Sequence, residues 1–193
     1  MTGSAPVPAA VALAAQWVRD CRRLEMRGLA EELGISRVTL FRQVGTREDL
    51  LDQALWVLAE ASLEAAVQRW ESRRPAGALH SPGTFREFNG IVSRSKGLRR
   101  LLDEEPTATI RVITGPGRRV RTGVTGHVEA VLRRDIAEFA LVPLIEPGAL
   151  AYALVRLGES FLYADVIADR QPDVDTADQL QRTLIEGVLR PAG

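Results

Sequence analysis

The sequence predicts an all-α protein, on three observations. Ala, Leu, Arg and Glu, all good helix formers, dominate its 193 residues. Apolar residues recur at helical spacing in long stretches, and no strand-type alternation persists anywhere. Hydrophobic residues reach 46% while aromatics are only 5%, which supports a packed core rather than disorder.

The elements follow in order. Residues 1–8 read as a small, proline-containing arm. Residues 9–23 form an amphipathic helix with Trp17 and Cys21 on its apolar side; Trp17 and Trp56 are assigned to the core, and Cys21 to a buried small hydrophobe. A second helix covers 26–33 and is broken by Gly34. Ser36 opens a third through about Gln43, and Gly45 ends it. Thr46 caps a long helix to about Arg73, with Glu48 and Asp49 in its first turn close to a capping box. The Pro- and Gly-rich run 74–83 reads as a loop. Helices are expected at 84–95, 97–104, 106–113 and 118–134, the break before the last being 114–119. A loop through Pro143 and Pro147 leads to helices at 148–168 and 174–189, with Asp173 or Asp175 as the final cap. The expected domains are 1–48, an arm with a three-helix head, and 49–193, a second helical domain reached along the long helix.

Charge narrows the possible partners. The formal net charge is zero and the isoelectric point is near 6.8, so any nucleic-acid binding must come from a local basic patch. Cys21 is the single cysteine, which excludes an internal disulfide and fits a reducing compartment. Without a basic and apolar leader pattern or a stretch of roughly 18 apolar residues, the expected location is the cytoplasm. No nucleophile–base pair, carboxylate dyad, metal-ligand spacing or cofactor fingerprint stands out, so neither an enzyme nor a bound metal or cofactor is expected.

The informative segment is Leu29 to Val44, LAEELGISRVTLFRQV, which has the chemistry of a helix-turn-helix. Ala30 is small where two helices approach. Gly34 stands where the turn needs positive φ. Ile35 buries the turn, Ser36 caps the next helix, and Leu40 and Val44 face inward at i and i+4. From Gly34 to Arg47 there are three arginines and no acid, the local patch that the neutral total conceals.

With its continuation GTREDLL, this segment resembles the DNA-binding domain of the tetracycline-repressor (TetR/AcrR) family over residues 9–60. The resemblance implies a sequence-specific, DNA-binding transcriptional regulator. It would be a repressor released from a palindromic operator by a small-molecule inducer, and a homodimer joined through its last two helices. The third helix would enter the major groove, with Arg37, Val38, Thr39 and Phe41 near bases or sugars. Arg27, Arg42, Gln43 and Arg47 would lie at the DNA backbone, with Ser36 also in the DNA-binding set, although spacing does not sort base-reading from phosphate-binding arginines. Phe41, Gln43 and Val44 depart from the tyrosine, histidine and phenylalanine usual in the family. The alternative is therefore a dimeric ligand-binding or interaction module whose helix-turn-helix no longer binds DNA.

For the second domain, burial patterns suggest a lipophilic or amphipathic effector beside Phe85, Phe88, Ile110, His127, Val131, Tyr152, Arg156, Glu159 and Tyr163. Tyr152, Arg156, Glu159 and Tyr163 share one helical face, and Arg156 and Glu159 are spaced to pair. His127 reads as a partly buried histidine or a ligand contact, and His80 as loop surface. The basic run Arg94 to Arg121 reads as solvated helix faces.

Overall fold

The computed structural model describes residues 8–191. The arm expected at 1–8 therefore lies, apart from Pro8, outside the described residues. Among these, eleven helices and one small antiparallel ladder follow in the order α1 (Ala9–Arg19), α2 (Met26–Glu32), α3 (Arg37–Val44), α4 (Arg47–Glu71), α5 (His80–Ser93), α6 (Lys96–Glu104), α7 (Pro106–Thr114), α8 (Arg119–Glu138), β1 (Leu141–Pro143), α9 (Pro147–Leu162), α10 (Ala164–Ala168), α11 (Val174–Val188) and β2 (Leu189–Pro191). The predicted all-α class is correct. No helix among the described residues is long and apolar enough to cross a membrane.

The described residues form two compact units, one of residues 8–58 and 95–120, the other of residues 59–94 and 121–191. Both α4 and α8 contribute residues to each. The segment 95–120, containing α6 and α7, thus belongs with the N-terminal helices.

In the first unit α1, α2 and α3 pack on one another and α6 packs on α1. Leu29, Leu40, Leu50 and Leu51 are completely buried at the centre. Truncating one such leucine to alanine costs about 2–5 kcal/mol. Gly97 lets α6 reach the backbone of α1, since a Cβ there would lie 2.0 Å from the Val18 carbonyl oxygen. The first helix ends earlier than its apolar pattern suggests. Arg22 N–H donates to the Trp17 carbonyl and Cys21 N–H to that of Val18, closing the helix with Cys21 at φ 55°. Cys21 consequently sits at a half-buried turn, not in the core. Trp17 is buried, whereas Trp56 is only half-buried.

In the second unit α11 packs against α9 and α5. Gly158 admits the Gln181 side chain, whose amide donates to the Leu154 carbonyl while its oxygen accepts from Asn89. Three sequence readings need correction here. The helix expected at 84–95 starts at His80, because Pro82 needs no helical N–H in a first turn and Gly83 fits against the Trp70 ring, where a Cβ would lie 2.0 Å away. The helix expected at 148–168 breaks at Tyr163, which turns its ring into the core. A strand pair also exists: Val142 pairs with Arg190 in β1–β2, tying the chain after α8 to the chain after α11. Three-residue strands containing proline carry no alternation to detect.

Candidate nucleic-acid interface and ligand cavity

The turn between α2 and α3 follows from its residues. Ile35 N–H donates to the Ala30 carbonyl and Gly34 N–H to that of Glu31, a Schellman closure that requires a left-handed residue. Gly34 supplies it at φ +67°. Ser36 then caps α3 by accepting from Thr39 N–H at 3.0 Å, and its hydroxyl also meets that of Thr39 at 2.9 Å. Gly45 ends α3 at φ 79° and ψ −146°, a conformation open essentially to glycine alone. Thr46 and Asp49 form the expected reciprocal cap of α4: Asp49 accepts from Thr46 N–H and Oγ1, and its own N–H donates to Thr46 Oγ1. These hydrogen bonds from Thr46 hold the Asp49 carboxyl below its ordinary range.

Local geometry decides which side chains of α3 are available. Leu40 and Val44 anchor the helix in the core, so Arg37, Val38, Thr39, Phe41, Arg42 and Gln43 face solvent. Val38 is 69% exposed and Phe41 56%, unusual for apolar side chains without a partner. At 100° per residue the outward face reads Arg37, Phe41, Val38, Arg42 in angular order, two apolar side chains between two cations. Among the described residues neither Arg37 nor Arg42 has an ion-pair partner. Arg27, on α2, is exposed and pairs with Glu31 at 2.9 Å.

Arg47 requires a correction. Rather than standing free for a phosphate, its Nε donates to the Leu24 carbonyl at 2.7 Å, and its two terminal nitrogens grip Glu105 at 2.8 and 2.6 Å. It braces the first turn of α4 against the residue preceding α7. Two further links hold the same turns. Arg118 reaches Glu48 at 3.1 Å and Asp49 at 3.2 Å, and the buried Asp52 carboxylate accepts the Arg119 N–H that opens α8. Part of the basic run read as solvated is therefore structural. Apart from the Leu24 carbonyl, 23 positions from Arg47, these partners lie 58 to 70 positions apart in sequence, beyond any periodicity.

The second unit holds a small cleft lined by Leu63, Ser81, Thr84, Phe85, Phe88, His127, Val128 and Val131. Of the expected pocket residues it brings together Phe85, Phe88, His127 and Val131. Ile110 belongs to the first unit. Tyr152 points to solvent at 51% exposure, and Tyr163 is packed into the core. Arg156 and Glu159 do pair, but Glu159 is buried and shared with Arg121, so this face serves an ion-pair cluster. Burial lowers the pKa of His127, while Glu60 and Glu64 pull it upward less strongly.

Sequence reasoning missed Thr84, a 5% exposed lining residue whose Oγ1 has no partner among the described residues. A threonine in a predicted helix carries no signal of this kind. It also misplaced His80, which is 1% exposed. One ring nitrogen meets Glu71 and the other lies 2.8 Å from Glu138. The hydrogen bond to His80 is the main cause holding the Glu138 carboxyl below its ordinary value. For Glu71, burial pushes upward, but His80, Arg134 and Arg74 together bring the net shift down.

A Schellman-closed turn, a capped helix with an outward basic face and a long following helix define a helix-turn-helix transcriptional regulator. Residues 76–186 match the family model described as Tetracyclin repressor-like, C-terminal domain. The TetR-family transcriptional repressor QsdR of R. erythropolis is similar at 28% identity over 95% of both chains, with a TM-score of 0.82. Weaker likenesses join a TetR-family regulator of Rhodococcus sp. (14% identity, 93% and 95% covered, TM-score 0.46) and PfmR of Thermus thermophilus (19%, 92% and 97%, 0.39). No curated protein matches this chain. The chain belongs to the tetracycline-repressor-like family of DNA-binding transcriptional regulators.

Proposed function

We propose that this protein is a repressor that binds a palindromic operator as a homodimer and leaves it when a small molecule occupies the cavity of the second unit. The carrying observation is the outward face of α3, where Arg37 and Arg42 flank exposed Phe41 and Val38 and have no acidic partner among the described residues. An arginine without an intramolecular partner is available for a guanine edge or a phosphate. Arg37, Val38, Thr39, Phe41, Arg42 and Gln43 form the DNA surface in this reading. Ser36 acts through its cap and Arg47 through its brace, and Arg27 lies at the margin.

The dimer reading draws support from α9 and α11, which pack together yet leave Tyr152, Leu180 and Leu184 exposed. A second copy would cover these side chains. The repressor role draws support from the similarity to QsdR, a transcriptional repressor. Release requires the effector to bind the DNA-incompetent state more tightly.

The test is selection of DNA sites from a random pool at fixed salt, with Arg42→Ala alongside. The expected outcome is an enriched palindrome that the variant binds more weakly. No enrichment at low salt would assign the protein to the non-DNA-binding alternative.

A further inference from the structure

The outward face of α3 offers DNA a narrow range of chemistry. From Gly34 to Arg47 there is no acid, so no carboxylate can accept from cytosine N4. Thr39 carries the only hydroxyl of α3, and it already meets the Ser36 hydroxyl at 2.9 Å. Gln43, the only amide of the helix, lies in the last turn, about 140° around the axis from Val38. A helix-turn-helix sets the N-terminal residues of its recognition helix against base edges. Arg37, Phe41 and Val38 share an arc of about 100°, and Phe41 stands about 6 Å along the axis from Arg37, which is about two base-pair steps. Arg42 lies beyond Val38 in the last turn, on the side of the DNA backbone.

Val38 is 69% exposed and Phe41 56%. Neither side chain donates or accepts a hydrogen bond. On a base edge their one favourable contact is the C5-methyl group of a pyrimidine. Such a contact is blind to the thymine O4 and the cytosine N4.

We infer that Val38 and Phe41 read C5-methyl groups rather than thymine as a base, so that 5-methylcytosine serves in place of thymine where they face the operator, beside a guanine held by the unpaired Arg37. This rests on the DNA-binding reading given above and deepens it. The partner is DNA whose half-site sets a guanine within about three base pairs of two pyrimidine methyls.

The test uses the full chain and a site selected from a random pool at fixed salt. Each T·A pair of the half-site is replaced in turn by C·G and by 5-methylcytosine·G, and affinity is measured by fluorescence anisotropy. At two neighbouring positions cytosine should weaken binding about fourfold, the loss of one buried methyl, and 5-methylcytosine should restore it. Val38→Ala should abolish the difference between the two cytosines at one position and Phe41→Ala at the other. Both side chains are exposed, so the thermal midpoint should not move. Arg37→Gln should shift the preference at the adjoining pair from guanine to adenine, whose N6 and N7 a glutamine can pair. Arg42→Ala should weaken all sites alike and flatten the logarithmic salt dependence by about 0.9. A half-site without T·A pairs, 5-methylcytosine binding no better than cytosine, or a methyl effect that survives both alanine variants would each overturn the inference and leave the DNA-binding reading intact. A pool with no enriched site would overturn both.

Discussion

Replacing Asp135 with alanine should destabilise the second unit more than any surface change in the protein. Asp135 is 0% exposed, and its two oxygens accept three hydrogen bonds at the start of α5. These come from His80 N–H at 2.6 Å, Ser81 N–H at 2.9 Å and Ser81 Oγ at 2.5 Å. In Asp135→Ala the serine hydroxyl can rotate to another acceptor, but the two backbone N–H groups cannot. Each orphaned buried donor costs about 1–3 kcal/mol. Losing an anion at a helix N-terminus adds about 0.3–1 kcal/mol, and up to about 2 where it is partly buried. The expected loss is about 4 kcal/mol. Asp135→Asn retains one acceptor oxygen but aims an amide N–H at a donor, so its loss should be smaller, about 2 kcal/mol. Urea unfolding followed by circular dichroism measures both. A loss below about 1 kcal/mol for the alanine variant, at unchanged urea dependence, would show that the N-terminus of α5 does not need this buried acceptor.

Three further outcomes are expected. Gly34→Ala forces a Cβ onto a residue at φ +67°, costing about 1–2 kcal/mol; urea unfolding should show the loss, and operator binding should weaken with it. If Val38 and Phe41 contact thymine methyls, replacing the facing thymines of a selected operator by uracil should weaken binding about fourfold per methyl, near 0.8 kcal/mol, and the effect should vanish in Val38→Ala at its own position. The caps at Asp49 and Asp173 are held below the ordinary aspartate value of 3.8 chiefly by hydrogen bonds from Thr46 and Thr176. Their stabilisation is complete above that value and drains away as pH falls through the lower folded pKa. An acid titration of unfolding stability should therefore be shallower below about pH 4 in Asp49→Asn, and an identical profile would refute the assignment.

The sequence by itself determined what depends on near neighbours. Apolar spacing placed most helices to within a few residues. The run from Leu29 to Leu51 fixed the turn, both of its caps and the outward residues of α3, because every one of those interactions spans five positions or fewer. Even the exposure of Arg37 and Arg42 follows from helical geometry once Leu40 and Val44 are assigned to the core. Tertiary structure decided everything carried by distant partners. Arg47 looked like a phosphate ligand until Glu105 and the Leu24 carbonyl occupied it. His80, in a Pro- and Gly-rich stretch, looked like surface until Glu71, Asp135 and Glu138 enclosed it. The cavity followed the same rule: Phe85, Phe88, His127 and Val131 were legible as apolar-face residues, but only packing excluded Tyr152 and Ile110 and left the Thr84 hydroxyl buried without a partner among the described residues. Periodicity reports which face of a helix is buried, and only the arrangement of helices determines what that face meets.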